Sequence, residues 1–123
     1  MTIAERIDAQ RATEFEQEFD LETLDKFVEE QISKYHHVEI GLRSEWQFEN
    51  GYLKNEKQFK DWFSKSKWLS FADGYECYIW STYCQIPQKF AKFVEIHLRK
   101  QGLKVGYRGA CGYATYDIME VKL

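Results

Sequence analysis

The sequence predicts an α+β fold: N-terminal helices, then a mixed, mostly antiparallel sheet of about 4–5 strands with a central helix (about 87–101) packed on it. Three observations support this prediction. Up to about residue 35, apolar residues recur every three or four positions, the period of an amphipathic helix. From His36 onward the period changes to two, as in a strand. Later, a second helical stripe lies between two stretches of strand-type residues.

Two helices are predicted before the sheet begins. Thr2 is placed to cap the first helix, and Asp20 is placed to cap a second helix that runs roughly from 21 to 34. The second helix has a full core-facing stripe. The first has only a thin apolar line, so the helical region 1–35 can project from the body of the domain. That line consists of Ile3, Ile7, Phe15 and Phe19.

The first strand is predicted from the alternation that follows these helices. Apolar residues at every second position from 38 to 42 are typical of a half-exposed strand. Trp46 and Phe48 are expected to continue it. Asn50-Gly51 is then expected to reverse the chain, because Asn-Gly is the strongest short hairpin signal.

The middle of the chain is predicted to reach a central strand through a short helix and a turn. Asn55 is placed to cap a helix of about ten residues. A short strand at 68–71 would then enter a tight turn at Asp73-Gly74. The stretch 75–84 is rich in aromatic and β-branched residues, which predicts a central strand covered on both faces.

The helix at 87–101 is predicted from its apolar stripe and from residues at both ends. Pro87 suits its first position, because a missing N–H is tolerated there. Gly102 is expected to end it in the left-handed conformation. A strand with one core-facing side follows at 103–108, and the unit is consistent with a right-handed parallel crossover. A glycine-bracketed turn then leads into a last strand at about 113–123.

Length and composition predict one domain, 1–123, with a single core. The chain has 123 residues, of which 17% are aromatic and 30% are charged. No apolar run approaches the ~18 residues of a membrane span, and the first residues lack a signal-peptide core, so a cytoplasmic protein without membrane contact is expected. Three cysteines without a CxxC pair predict reduced thiols, and neither a metal nor a cofactor is expected.

No group of residues converges on a catalytic role, so the protein is expected not to be an enzyme. The pair His36-His37 is interpreted as a polar junction between helix and strand. His97 falls on the apolar stripe of the helix at 87–101 and is expected to be a hydrogen-bonded core or rim histidine. Glu95 is interpreted as an internal ion-pair partner. An enzyme that uses Cys111 or His97 stays open as a third alternative.

Charge is distributed unevenly along the chain. The net charge is only −3, yet residues 1–30 hold ten acids and three bases, while residues 53–108 hold eleven bases and five acids. The molecule is therefore expected to be electrically polarised if the two segments occupy different faces. The acids proposed to bind a partner are Glu14, Glu16, Glu18, Asp20, Glu22, Asp25, Glu29 and Glu30.

The basic segment supports an alternative function. Lysine and arginine interleaved with aromatic residues between 54 and 108 are compatible with a small regulator that binds nucleic acid. Most of those aromatic residues lie on apolar stripes, however, which favours a core position over base stacking. The bases assigned to this alternative are Lys57, Lys60, Lys92, Lys100, Lys104 and Arg108.

The small size and the charge asymmetry together resemble small phage or mobile-element proteins that bind host machinery, anti-CRISPR proteins among them. The resemblance implies a non-catalytic inhibitor or regulator. Its acidic helices would dock, as a nucleic-acid mimic, on a basic nucleic-acid-binding surface of a host protein or nucleoprotein complex.

Overall fold

The computed structural model describes residues 1–51, 53, 64–76, 79–109 and 117–123, and of 72–76 and 79–81 it describes the backbone alone. The helices are α1 (Ile3–Glu18), α2 (Leu21–Tyr35), α3 (Glu45–Glu49) and α4 (Ala91–Lys100), the last preceded by a 3-10 turn (Gln88–Phe90). The strands are β1 (His37–Arg43), β2 (Ser70–Glu76), β3 (Ile79–Pro87), β4 (Lys104–Gly109) and β5 (Asp117–Lys122).

The five described strands form one mixed sheet in the order β2-β3-β1-β5-β4. β1 and β3 are parallel neighbours, whereas β2–β3, β1–β5 and β4–β5 are antiparallel pairs. Because β1 and β4 both run antiparallel to β5, β4 is parallel to β1 and β3. The prediction of an α+β fold with a mostly antiparallel mixed sheet is confirmed.

Both predicted helix starts are confirmed by their capping contacts. Thr2 Oγ1 accepts a hydrogen bond from the Glu5 backbone N–H at 3.1 Å, and the Glu5 carboxylate accepts from the Thr2 N–H, forming a capping box. The Asp20 carboxylate accepts from the Thr23 N–H at 3.1 Å. α2 ends at His36, whose φ of 68° is left-handed, so His36-His37 is the predicted junction between helix and strand.

One face of the sheet carries the main core. Strand alternation places Val38, Ile40 and Leu42 of β1 on this face, with Met119 and Val121 of β5 beside them. These residues belong to the same buried cluster as the apolar residues of α1, α2 and α4, so the three helices cover this face. The most buried helical residues in the cluster are Leu24, Phe27, Phe90, Val94 and Leu98.

β1 is more deeply buried than its sequence predicts. The expected inward residues are buried, but Arg43 on the opposite face is also only 7% exposed. Its guanidinium lies over Gly41, where a Cβ atom would come within 2.9 Å of Arg43 Nη1. The missing side chain at Gly41 therefore provides the space that Arg43 occupies.

The predicted continuation of β1 and the hairpin at Asn50-Gly51 are wrong. Trp46 and Phe48 lie in α3, which begins with a reciprocal capping box between Ser44 and Gln47. The Asn50 side-chain amide donates to the Trp46 carbonyl, and Gly51 follows with a φ of 68°. The Asn-Gly pair therefore ends a helix, and the local capping contacts outweigh the hairpin signal.

The predicted central strand at 75–84 and the turn at Asp73-Gly74 are also wrong. Asp73 and Gly74 lie inside β2, where they pair with Thr82 and Ser81 of β3. Seven such pairs join the two consecutive strands, so pairing with β3 outweighs the weak strand propensity of Asp-Gly. The stretch 75–84 contains the end of β2 and the first part of β3, because residue propensity does not reveal where a chain reverses.

Pro87 is the last residue of β3 and pairs with Arg43, so its predicted place as the first helical residue is wrong. The central helix itself is confirmed. It ends as predicted: Gly102 has a φ of 86°, and the Leu103 N–H donates to the Leu98 carbonyl at 3.2 Å.

The β3–α4–β4 unit joins parallel strands, but β1 and β5 lie between them in the sheet. The last strand is confirmed over Asp117–Lys122, and the predicted start of this strand at 113–116 lies outside the described residues. The helix predicted after Asn55 and most of the glycine-bracketed turn lie outside the described residues. Among the helices that are described, none combines the length and apolar character needed to cross a membrane.

Candidate functional site

Half of the predicted acidic residues make contacts within the chain. Glu14 Oε1 lies 2.7 Å from Lys89 Nζ, and Glu18 Oε2 accepts a hydrogen bond from Trp68 Nε1 at 3.2 Å. Asp25 Oδ1 lies 2.7 Å from Nε2 of His97. These contacts hold α1 and α2 against α4 and against the segment that leads into β2. They confirm the interpretation of His97 as a hydrogen-bonded histidine at the rim of the core.

Asp20 is also engaged. Its carboxylate accepts hydrogen bonds from the side chain and backbone of Thr23, from the Lys65 N–H and from the Ser64 hydroxyl. Burial by itself raises the pKa of Asp20, but these four hydrogen bonds outweigh burial and hold the pKa below its ordinary value. Asp20 therefore has a structural role as a helix cap and as a tie between distant segments.

Lys89 lies at the centre of this internal charge network. The sequence places it outside the apolar stripe, yet its side chain is only 7% exposed. Its Nζ atom contacts Glu14 at 2.7 Å and Glu45 at 3.4 Å, and it lies 4.0 Å from the centre of the Trp68 ring. Part of the predicted charge separation is therefore cancelled inside the fold, because a base of the second half is buried against an acid of the first.

Glu16, Glu22, Glu29 and Glu30 remain available to a partner, and we call them the acidic docking surface. Three of them are exposed, Glu30 is half-buried, and none makes a hydrogen bond or ion pair within the part of the chain that the structure describes. Glu22 and Glu29 are seven residues apart on α2, so they lie on one side of the helix. These four residues therefore remain candidates for binding a basic partner, which is the role predicted for all eight acids.

The N-terminal half of α1 exposes apolar side chains. Every residue from 3 to 10 is exposed, with Ile3 at 67% and Ile7 at 41%. The C-terminal half is docked through Phe15, whose ring lies 5.5 Å from that of Phe93, centre to centre. The thin apolar line of the sequence therefore anchors only one end of the helix.

Some residues of the predicted basic face are also bound by carboxylates within the chain. Lys57 and Lys60 lie outside the described residues. Lys92 Nζ lies 2.5 Å from Asp8 Oδ2. Arg108 is bound by two carboxylates on the outer face of the sheet, Glu39 and Glu120. The hydrogen bond to Glu39 is the main reason why the pKa of Arg108 is raised.

Lys100 and Lys104 are the predicted bases that stay exposed without an ion pair among the described residues. Lys104 pairs across the sheet with Lys122, and Lys122 pairs with His37. Directly opposite residues in antiparallel strands project from the same face, so these three side chains form a basic row. The sequence alone does not assign Lys122 or His37 to a basic surface, because only the strand register brings them beside Lys104.

An open cleft of about 550 Å³ lies between α4 and the ends of β1, β4 and β5. Its apolar floor is formed by Leu42 and Ala91, and its polar wall is formed by Glu95, Tyr107 and Asp117. Nothing in the sequence predicts this cleft. The strand alternation at 103–108 predicts that Tyr107 faces the core, whereas Tyr107 is 49% exposed.

Glu95 and Tyr107 form the tightest polar contact of the cleft wall. The Tyr107 hydroxyl donates to Glu95 Oε1 at 2.6 Å, while Arg99 Nε donates to Glu95 Oε2 at 2.9 Å. These hydrogen bonds, that of Tyr107 first, lower the pKa of Glu95. Burial and the hydrogen bond to Glu95 raise the pKa of Tyr107. The ion-pair role predicted for Glu95 is confirmed.

The described residues do not assemble a metal-binding cluster. No three histidine, cysteine or acidic side chains among them lie close enough together to hold a metal ion. Cys84 is fully buried, and burial raises the pKa of its thiol, which disfavours the reactive thiolate. Cys111, a member of the third alternative, lies outside the described residues.

Comparisons with protein-family models, with curated proteins and with solved structures give no match to this chain.

Proposed function

We propose that this protein is a small non-catalytic inhibitor or regulator that binds a host protein or nucleoprotein complex through its acidic docking surface. In this proposal the partner presents a basic surface that otherwise binds nucleic acid. The resemblance to phage and mobile-element proteins that bind host machinery, such as anti-CRISPR proteins, gives the biological setting.

The observation that carries the proposal is the difference between the two halves of the acidic set. Glu14, Glu18, Asp20 and Asp25 are used inside the fold. The four members of the acidic docking surface have no such use within the described part of the chain. Unpaired carboxylates on two adjacent helices supply a local negative potential, which steers a basic partner toward this side of the molecule.

The exposed end of α1 supplies the apolar contact that charge alone does not provide. Surface charges mainly raise association rates and specificity, whereas buried apolar side chains supply most of the affinity of an interface. Ile3 and Ile7 are exposed near the start of α1, and Ile7 lies nine residues before Glu16, on the opposite side of the helix. In the proposal, the partner therefore contacts the start of α1 as a site separate from the carboxylates.

The test is capture of a partner from a host lysate, with and without nuclease, followed by charge reversal. We expect the partner to be retained after nuclease treatment. Changing Glu16, Glu22, Glu29 and Glu30 together to lysine should abolish capture at ~0.15 M salt, where charges more than ~8 Å apart are largely screened. Unchanged capture by this variant would contradict the proposal.

Two variants distinguish the effect of where a charge lies from the effect of the net charge on partner capture. Glu29→Lys changes a residue of the acidic docking surface, whereas Glu49→Lys makes the same charge change on α3, where Glu49 is also exposed. We expect Glu29→Lys to weaken capture and Glu49→Lys to leave it unchanged. Equal weakening by both variants would show that only the overall charge matters.

The basic row of His37, Lys122 and Lys104 favours the alternative, a small nucleic-acid-binding regulator. Neighbouring strands lie about 4.8 Å apart, so Lys104 and Lys122 offer two closely spaced positive charges to a phosphate backbone. If this alternative holds, affinity for DNA or RNA should fall steeply with salt, and changing Lys104 and Lys122 to glutamate should abolish it. A flat salt dependence, or no binding to any duplex or single strand, removes it.

A further inference from the structure

The cleft next to α4 lies at the carboxyl ends of two strands. β1 and β4 run in the same direction, and both end beside the cleft, which Leu42 and Gly109 help to line. The antiparallel strand β5 lies between them and begins beside the cleft with Asp117. The ends of three strands and one side of α4 therefore border the cleft.

Strand alternation decides which side chains enter the cleft. Tyr107 pairs with Met119 and Gly109 pairs with Asp117, so these residues share the helix-covered face of the sheet. Arg108 has the opposite orientation and binds Glu39 and Glu120 on the other face. Arg108 still borders the cleft, and its guanidinium is held by these two carboxylates and by the Gly109 carbonyl oxygen.

Lys92 is a second cationic side chain that borders the cleft, and its ammonium group is bound to Asp8. Because carboxylates already bind both cations, oxygen acceptors predominate among the remaining polar groups that line the cleft. Asp117 is exposed and makes no ion pair or hydrogen bond within the described ranges. Glu95 holds the Tyr107 hydroxyl in place, so the phenol oxygen still has a free lone pair. A ligand that matches this set carries positive charge and several N–H donors.

We propose that the cleft binds the guanidinium group of an arginine side chain presented by the partner protein. A guanidinium is planar, stacks on aromatic rings and donates several hydrogen bonds in fixed directions. The half-exposed ring of Tyr107 provides the stacking surface, and Asp117 provides the unpaired carboxylate. Leu42 and Ala91 contact the aliphatic part of the side chain at the floor. The partner in this inference rests on the proposed function, whereas recognition of arginine is a property of the cleft alone.

The arginine-recognition property is tested without any partner, by titrating the full-length protein with N-acetyl-arginine amide and following backbone amide signals by NMR. We expect saturable shifts at Gln88, Glu95, Tyr107, Gly109 and Asp117, the residues that border the cleft. Absence of saturable shifts at these residues up to millimolar probe would overturn the inference.

Two glycines on the same strand provide a blocking variant and its matched control. A Cβ atom at Gly109 or at Gly106 meets no described atom within 4 Å, and neither glycine has a left-handed φ. A side chain at Gly109 enters the cleft, whereas one at Gly106 lies on the opposite face. We expect Gly109→Phe to weaken binding of the probe at least ~10-fold, or about 1.4 kcal/mol, and Gly106→Phe to leave it unchanged. Equal effects of the two variants would overturn the inference.

Charge and shape are tested in the same titration. Asp117→Asn should weaken N-acetyl-arginine amide binding several-fold. N-acetyl-lysine amide should bind more weakly than the arginine probe, because an ammonium group cannot stack as a plane. Saturable binding of inorganic phosphate at the same amides would overturn the inference, since it would indicate an anion site at the start of the 3-10 turn. Equal affinity for the two cationic probes would also overturn it.

Failure of this inference can be distinguished from failure of the proposed function. The acidic docking surface lies on α1 and α2, so Glu29→Lys is expected to leave binding of the arginine probe unchanged while it weakens partner capture. Loss of probe binding in the otherwise folded Glu29→Lys variant would contradict a separate cleft site. Partner capture that persists without any probe binding would overturn the cleft inference alone.

Discussion

The carboxylate of Asp20 accepts a hydrogen bond from the backbone N–H of Lys65 at 3.2 Å, which joins two residues 45 positions apart in the sequence. The same carboxylate caps α2 through the backbone and hydroxyl of Thr23. One side chain therefore both starts a helix and fixes the segment that leads into β2.

We expect Asp20→Ala to lower the free energy of unfolding by about 2 kcal/mol. Loss of the helix cap costs about 1 kcal/mol, and loss of the contacts to Ser64 and Lys65 costs about 1 kcal/mol more. Urea denaturation at pH 7 measures the difference. Glu49→Ala, which changes an exposed acid outside these contacts, is the control and should differ from the unmodified protein by less than about 0.5 kcal/mol.

The contribution of Asp20 should also depend on pH. Its pKa in the folded protein is below the ordinary value of 3.8, so the folded state binds fewer protons than the unfolded state. The stabilisation is therefore fully present above the unfolded pKa and is lost as pH falls through the folded pKa. The stability difference between the unmodified protein and Asp20→Asn should be constant from pH 7 to about 5 and shrink below about 4. A difference that grows in acid would contradict this assignment.

Removing the carboxylate that binds the buried Lys89 should lower the free energy of unfolding more than removing the charge of Lys89 itself. Glu14→Gln leaves a nearly buried ammonium group with only the longer contact to Glu45, and we expect a loss of about 2 kcal/mol. Lys89→Met removes the charge together with its desolvation cost and keeps a contact with the Trp68 ring, so a loss of less than about 1 kcal/mol is expected. Chemical denaturation gives the order of the two variants, with Glu16→Gln as a neutral control. The opposite order would show that the ion pair itself is strongly stabilising.

The hydrogen bond between Tyr107 and Glu95 should stabilise the fold over a defined pH range. We expect Tyr107→Phe to cost about 1 kcal/mol at pH 7, the usual net value of one such bond. The pKa of Tyr107 is raised in the fold, so its contribution is complete below the unfolded value of about 10 and is lost as pH rises through the folded pKa. Denaturation curves from pH 6 to 11 should show the two proteins converging at the alkaline end. A constant difference over the whole range would contradict this.

Cys84 should be chemically inert in the folded protein. Its thiol is fully buried, and burial raises its pKa, so both access and ionisation disfavour reaction. With Cys77 and Cys111 changed to serine, we expect Cys84 to react with a thiol-specific reagent at least ~100-fold more slowly in buffer than in denaturant, because reaction requires opening of the fold. Similar rates in both conditions would show that the core opens readily at β3.

The ends of the long helices were predictable from the sequence because their causes are local. Thr2 and Asp20 each satisfy N–H groups three residues away, and Gly102 takes a backbone conformation that other residues rarely adopt. The helical and strand periods were enough to give the α+β class. A local signal failed where a competing one was overlooked, as at Asn50-Gly51, where the capping box of α3 decided the structure.

The sheet and the available surface depended on pairing and packing that local sequence signals do not reveal. Pairing with β3 turned Asp73-Gly74 into strand, and the register with β5 brought Lys104 beside Lys122. The same holds for the charges: the sequence predicted acidic residues in the first 30 positions, but only the packing of the 3-10 turn before α4 neutralised Glu14 with Lys89.

The sequence by itself therefore determined the α+β class, the caps of α1 and α2 and the presence of an acidic helical region, because each depends on residues within a few positions of one another. The tertiary structure decided the strand order, the cleft beside Tyr107 and which of the predicted acids have no partner among the described residues. The fold decides which groups lie next to a charged side chain or a strand. For Asp20, one of these neighbours is a backbone N–H 45 residues away.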